Sequence, residues 1–283
     1  MKTSHLAFVL VWLFCPLCQA QAFQAASNSS LSPLPRLTIL TEDYGPFNYL
    51  DGTALQGFST ELVRLILLEL GSDISQHDQQ VMPWARAYQI ALVRPNTLLY
   101  TVTHTEQRDM LFRWVGPLVH TRVAIVAKKS RKLRTDDLNQ LAGLLIGTIR
   151  DDVGEQLLVE KGFPLRNIVS NTSASYVVEM LRMDRIDALA HGEIASNWYL
   201  SRIGEKLEDY EVIHTLQRSF QYLVFSRSTG KELVDRFQEA FMRIKLSDRY
   251  QALIDKYPAI SYSLATGLAQ ADVASRDVTP QRR

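Results

Sequence analysis

The chain has 283 residues, with 31 Lys and Arg against 30 Asp and Glu. The resulting formal charge of +1 gives no electrostatic footprint for a nucleic acid. Its two cysteines, Cys15 and Cys18, both lie in an apolar N-terminal segment. The rest of the chain therefore has no disulfide, no thiolate nucleophile and no Cys-ligated metal.

In chain order, Lys2 and His5 precede the apolar run Leu6 to Leu17, which is too short to span a bilayer comfortably. The small residues Ala20 and Ala22 follow, the layout of a cleavable secretory signal peptide over residues 1–22. Neither cysteine is preceded by the small residues of a lipoprotein signal, so a soluble, exported, periplasmic protein is expected. Residues 23–35, rich in Ser, Ala, Asn and Pro, read as a linker. Arg36 to Leu40 is a short β run leading into Thr41-Glu42-Asp43-Tyr44-Gly45-Pro46-Phe47, a loop with two aromatics beside a Gly-Pro turn. Asp51-Gly52 is a hairpin signal. Ser59 is placed to cap a helix running to Leu70, with Glu61 in its first turn and Gly71 as its stop. Val81-Met82 begins a strand ending at Pro83-Trp84, and a helix follows from Ala85 to Val93.

Asn96 to Pro117 changes character partway. Leu98-Leu99-Tyr100 reads as a buried strand. Thr101, Thr103 and Thr105 then put three hydroxyls on alternate positions, on one face while the chain stays extended. Arg108 follows where a first helical turn would begin. Hydroxyls beside a bidentate guanidinium make an oxyanion cradle. The same residues also make a Thr-capped turn whose arginine pairs with Glu106 or Asp109.

The alternation then restarts. Strands are expected at Arg122 to Ala127, Leu144 to Ile149, Asn167 to Val169, Ala188 to Ala190, Val212-Ile213 and Tyr222 to Ser226. Helices are expected at Asp136 to Leu141, Asp151 to Lys161, Ser175 to Met183 and Ile194 to Ile203. Lys128 to Arg134 is a solvated basic loop, and Lys231 to Tyr257 holds one or two amphipathic helices that pack on the first half. Two α/β halves with mostly parallel sheets fit this order. There is no phosphate-binding loop, His-Glu-x-x-His or Gly-x-Ser-x-Gly elbow. His77-Asp78, or His191 with Glu193, is too thin to propose a metal.

The Tyr44-Gly45-Pro46-Phe47 loop, Gly57-Phe58, Thr103 to Arg108 with Phe112, Trp114 and Pro117, Arg185-Ile186-Asp187-Ala188 and Lys256-Tyr257 together resemble the family 3 extracellular solute-binding proteins. These are the polar-amino-acid receptors of ABC importers, and the similarity runs from Arg36 to about Ala259. It implies the two-lobed type II periplasmic-binding-protein fold, each lobe a mixed, mostly parallel sheet flanked by helices. It divides the chain into lobe 1 (36–119 and 221–262), lobe 2 (122–216) and a disordered tail (263–283), with crossings near Val119 to Arg122 and Leu216 to Gln221. By the family pattern, Arg108 grips a ligand carboxylate with Thr103 and Thr101 beside it, while Tyr44 and Trp84 wall the side-chain pocket; each ring also has a purely structural reading. Arg86 is close enough to reach the cleft or to form a surface ion pair.

Two departures bear on the ligand. The family's ammonium-binding aspartate falls on Gly192, leaving His191 and Glu193 as possible substitutes. The lobe 2 helix begins with Arg150-Asp151-Asp152-Val153-Gly154 in place of a Gly/Ser/Thr-rich turn. Asp151 and Asp152 there either cap the helix or meet a positively charged ligand group. The expected function is capture of a small polar ligand bearing a carboxylate, by a monomer that needs no cofactor and no metal and hands the ligand to a membrane permease. The alternatives are a sensing partner of a membrane signalling protein and a cyclohexadienyl-type dehydratase with Glu193 or Glu42 as general acid.

Overall fold

The computed structural model describes residues 33–265. The signal peptide and most of the linker, together with residues 266–283 of the tail, lie outside the described residues. Among the described residues, no helix is long and apolar enough to cross a membrane.

The described residues form ten strands: β1 (Thr38–Thr41), β2 (Tyr49–Asp51), β3 (Ala54–Gln56), β4 (Asp78–Val81), β5 (Thr97–Thr103), β6 (Phe112–Lys128), β7 (Ile146–Ile149), β8 (Ile168–Asn171), β9 (Ala188–Gly192) and β10 (Tyr210–Ser226). Eight of them make one sheet in the order β4-β1-β5-β10-β6-β9-β7-β8, and β2 and β3 pair as the expected Asp51-Gly52 hairpin. The helices are α1 (Phe58–Glu69), α2 (Trp84–Val93), α3 (Glu106–Asp109), α4 (Val153–Glu160), α5 (Ala174–Arg182), α6 (Glu193–Arg202), α7 (Lys231–Lys245) and α8 (Asp248–Lys256). A further helical segment covers 258–265, past the expected start of the tail, and Ser263 Oγ donates to the His120 carbonyl at 2.7 Å.

The two lobes share their central strands. β6 and β10 are each 17 residues long and run antiparallel over their whole length. Val212-Ile213 and Tyr222 to Ser226, expected as separate strands, are thus the two ends of one. The C-terminal end of β10 pairs with β5 through Gln221 to Phe225, and the C-terminal half of β6 pairs with β9 through Val123 to Val126. Between these, residues 120–122 and 218–220 pair with each other and with no third strand. On either side the outer pairs are parallel: β5-β1-β4 in one lobe and β9-β7-β8 in the other.

α1 buries Phe58, Leu62, Val63, Ile66 and Leu67 as one stripe. Its N-cap is Gly57; Ser59, expected to cap, lies inside the helix with its hydroxyl buried and unpartnered. β4 ends at Val81, so Trp84 opens α2 and does not close a strand. α7 and α8 close the first lobe: Tyr250 and Tyr257 pack edge-on against Phe58, and Lys256 pairs with Glu61 at 2.7 Å. The second lobe has its own core of Val123, Ile125, Ile146, Leu157, Leu158 and Ile213.

Candidate functional site

The hydroxyls at the end of β5 do not follow the regular alternation that the spacing predicts. Thr101 takes a left-handed backbone (φ 65°) and is skipped in the pairing with β10, where the register slips between Tyr222 and Leu223. The bulge gives each threonine a different partner. Thr101 Oγ1 donates to Asn48 Oδ1 at 2.5 Å, Thr103 Oγ1 accepts from Gln221 Nε2 at 3.1 Å, and Thr105 Oγ1 accepts from the Arg108 N–H at 3.3 Å.

At Arg108 the capped turn forms without the expected ion pair. Its turn is Thr-capped, but the guanidinium turns inward and is only 1% exposed, while Glu106 and Asp109 stay on the surface. It lies over the rings of Trp84 and Tyr88, 5.1 and 5.3 Å from their centroids. Nη1 donates to the Thr103 carbonyl at 3.1 Å. Nε and Nη2 both donate to a single oxygen, Gln156 Oε1, at 3.1 and 2.9 Å. Gln156 belongs to α4, so the fork on the first lobe is filled by a side chain of the second.

Other bonds close the cleft. Trp84 Nε1 donates to the Asp151 carbonyl at 2.8 Å, and Tyr199 Oη to the Asp43 carbonyl at 2.7 Å. The Tyr44 ring meets the His191 ring edge-on at 5.0 Å. A Cβ at Gly192 would stand 2.0 Å from Tyr44 Oη, so the phenol occupies the space a side chain at 192 would need. A Cβ at Gly154 would come within 2.3 Å of the Ala190 carbonyl, and its absence lets the start of α4 press onto β9.

That approach brings Asp152 to His191. Asp152 occupies the N-cap position, yet its carboxylate makes no capping bond. Oδ2 instead pairs with His191 Nδ1 at 3.0 Å, both side chains being buried. Burial pushes the Asp152 carboxyl up, but the bond to His191, the His191 charge and Arg108 outweigh it and hold the group below its usual range. Glu42, also buried, behaves oppositely: burial, then Asp152 and Asp43, push it well above the carboxylate range against the pull of Arg108. Burial lowers Arg108, opposed chiefly by Asp152.

The structure therefore brings Arg108, Thr103, Tyr44, Trp84, Asp152 and His191 together where the lobes meet, while Thr101 bonds to Asn48 within the first lobe. Two expected residues do not bring their carboxylates there. Asp151, with φ 59°, exposes its side chain and lends the cleft only its carbonyl. Glu193 opens α6 and pairs with Arg122, including Arg122 Nε to Oε2 at 2.6 Å. Arg86 is exposed. Sequence reasoning missed Gln156, Gln221, Asn48 and Tyr199, which gave no local signal; Tyr88 lies one helical turn after Trp84 and was within reach of periodicity. An open cavity of about 830 Å³ between α1 and α8, lined by residues such as Leu55, Arg64 and Leu253, includes none of the cleft residues. Among the described residues no group of three or more His, Cys, Asp or Glu could hold a metal ion.

The family model described as bacterial extracellular solute-binding proteins, family 3, matches residues 37–259. The chain is 23% identical over 219 residues to the arginine-binding extracellular protein ArtP of Bacillus subtilis, covering 76% of this chain and 82% of that protein. It is 22% identical over 266 residues to a probable histidine-binding protein of Campylobacter jejuni, covering 91% and 99%. Among solved structures, a histidine kinase sensor domain with similarity to periplasmic binding proteins superposes with a TM-score of 0.69 at 17% identity, over 78% of this chain and 96% of that one.

Proposed function

The chain belongs to the family 3 bacterial extracellular solute-binding proteins, and from that footing we propose that it captures an amino acid or related small carboxylate between its lobes for delivery to an ABC-type permease. Membership makes it an exported binding protein; residues 1–22 are assigned as its cleaved signal and the periplasm as its compartment. The single observation behind the ligand class is the Arg108 fork, buried between the lobes with two donors converging on one oxygen. A carboxylate is the small group that best matches such a fork. The named relatives, arginine- and histidine-binding, support the same class.

Thr103 and Thr101 flank the carboxylate, Tyr44 and Trp84 wall the pocket, and Asp152 with His191 arrives on the second lobe. We assign lobe 1 to 36–119 and 221–262 and lobe 2 to 122–216, with closure flexing the ribbon at the two crossings, near Val119 to Arg122 and Leu216 to Gln221. The ligand leaves chemically unchanged, and the partner is a permease. A membrane sensor is the second reading of the partner; the fold shared with the kinase sensor domain is what favours it.

A thermal-shift screen of amino acids, polyamines, opines and dicarboxylates tests the ligand class. A ligand at 100-fold its Kd should stabilise the protein by about 2.7 kcal/mol. Arg108→Ala should abolish the shift for every carboxylate ligand, and an undiminished shift would sink the assignment. Recovery of the ligand intact after prolonged incubation checks that no turnover occurs.

A further inference from the structure

The ribbon that joins the lobes has two faces, and only one of them belongs to the cleft. Gln217 and Ser219 both donate to the His104 carbonyl, at 3.2 and 2.8 Å, and Gln221 donates to Thr103 Oγ1. These three therefore point to the end of β5. Alternation along the paired strands sends Arg218 and Phe220, with Arg122 and His120 opposite them, to the reverse face.

A cavity of about 580 Å³ lies on that reverse face, a volume in the range of small-molecule sites. Its walls come from three separate parts of the chain: Arg122 and Arg218 of the ribbon, Ile194 and Trp198 of α6, and Ala259 and Tyr262 of the segment that follows α8. Ser263 ties that last segment to the ribbon through its bond to the His120 carbonyl. Leu207 adds to the apolar side and is 43% exposed.

The polar side carries one charge that nothing answers. Arg122 is neutralised by Glu193. Arg218 makes no side-chain hydrogen bond or ion pair among the described residues, and neither does Asn197 beside it on the wall. Burial, and then the Arg218 charge itself, lower His120, so this ring adds no second cation at neutral pH. A single uncompensated guanidinium next to an indole and two aliphatic side chains matches one anionic group on an apolar body. A dianion would find only half the charge it needs.

We propose that this cavity binds a small amphipathic monocarboxylate, with the carboxylate on Arg218 and the apolar part against Ile194, Trp198 and Leu207, and that its occupant favours the closed lobes. Trp198 makes the connection, because it is also a contact between the lobes. Its ring centroid lies 5.0 Å from that of Tyr49, and Gly45 backs directly onto it. Opening draws α6 away from the first lobe and takes one wall out of the cavity. A ligand that needs this wall binds the closed arrangement better, and by linkage it resists opening. The coupling rests on the lobe closure assigned above; the site itself does not.

The probe is 4-phenylbutyrate, compared by isothermal calorimetry with its neutral amide, 4-phenylbutyramide, on the whole protein. Wild type should bind the anion about tenfold tighter than the amide, as expected for one charge-assisted pair. The same preference should persist in Arg108→Ala, which removes the guanidinium of the cleft. Arg218→Gln should bring the two probes within about threefold of each other. Ser201→Trp, which fills the cavity from an exposed position on α6, should remove both. Trp84→Phe combined with Gln156→Ala lacks two lobe-to-lobe bonds remote from the cavity. It should bind the anion about threefold or more weakly than wild type, in proportion to the closed fraction it has lost.

A preference that disappears in Arg108→Ala places the anion in the cleft and overturns the inference. So does a preference unchanged in Arg218→Gln, binding undiminished in Ser201→Trp, or a wild type that does not bind 4-phenylbutyrate. Equal affinity in the double variant overturns the coupling. A protein that no amino acid or dicarboxylate stabilises, but that keeps the Arg218-dependent preference, loses the cleft reading and retains this site.

Discussion

If Arg108 takes a ligand carboxylate as proposed, Gln156 competes for the same donors, so removing it should loosen the empty protein and tighten its complex. In the empty cleft its Oε1 takes two N–H bonds from Arg108, and its Nε2 donates to the Asp151 carbonyl at 2.9 Å. A hydrogen bond to a charged partner contributes about 1.5–3 kcal/mol. Gln156 is only partly buried, so the low end applies, about 1.5 kcal/mol for the shared acceptor. Gln156→Ala should therefore lower the Tm of the empty protein by about 3–6 °C for a domain of this size. The same contact must be broken before a carboxylate can enter, and its absence should improve affinity for an amino-acid ligand by about tenfold. Scanning calorimetry on the empty protein and isothermal titration with L-arginine measure the two halves. A variant that binds tenfold more weakly than wild type would refute the reasoning, because Gln156 would then be a ligand contact and not a competitor.

The remaining predictions concern the lobes and the pH response. Trp84→Phe keeps a ring over Arg108 but loses the lobe-to-lobe bond to Asp151, a cost of about 1 kcal/mol that should appear as a larger radius of gyration for the empty protein in small-angle scattering. Because the folded pKa of Asp152 is depressed below 3.8, its contribution is present above that value and lost as pH falls through the lower folded value. Asp152→Asn should flatten the acid limb of a Tm-against-pH profile, and an unchanged limb would count against the His191 pairing. Glu42 runs the other way: raised above 4.5, it favours folding below that value and withdraws the benefit as pH rises, so Glu42→Gln should remove a decline on the neutral side. Glu193→Gln should leave ligand affinity within twofold of wild type in calorimetry, since Glu193 is engaged with Arg122.

The alternation of short strands and helices was legible because buried runs such as Leu98-Leu99-Tyr100 and Leu144 to Ile149 are apolar and bounded by clear stops. The two long strands were not, because His120, Arg122, Arg218 and Ser219 interrupt their apolar pattern where the ribbon has no third strand beside it. At the site, Thr103 to Arg108 could be read locally, since cap, turn and guanidinium lie within six residues. Gln156 and Gln221 could not, because their partners lie 48 and 118 residues away. Pairs of neighbouring titratable residues misled for a related reason. Asp151 and Asp152 differ only in that one sits in a left-handed turn, and His191 and Glu193 fall on opposite sides of a strand-to-helix switch. Backbone direction decided each case, and composition does not encode it.

The shared strands also fix an order of events during synthesis. β10 lies between β5 and β6 in the sheet but follows both by about a hundred residues. The lobe built on β6, β9, β7 and β8 uses one contiguous stretch of chain and can begin to fold as soon as Gly192 has emerged. The lobe that carries Arg108 cannot be completed until residues 221–225 arrive to cover the open edge of β5. A nascent chain halted before Tyr210 would hold most of the second lobe's sheet and no site, with the threonines of β5 exposed along an unpaired edge. The binding half is begun first and finished last.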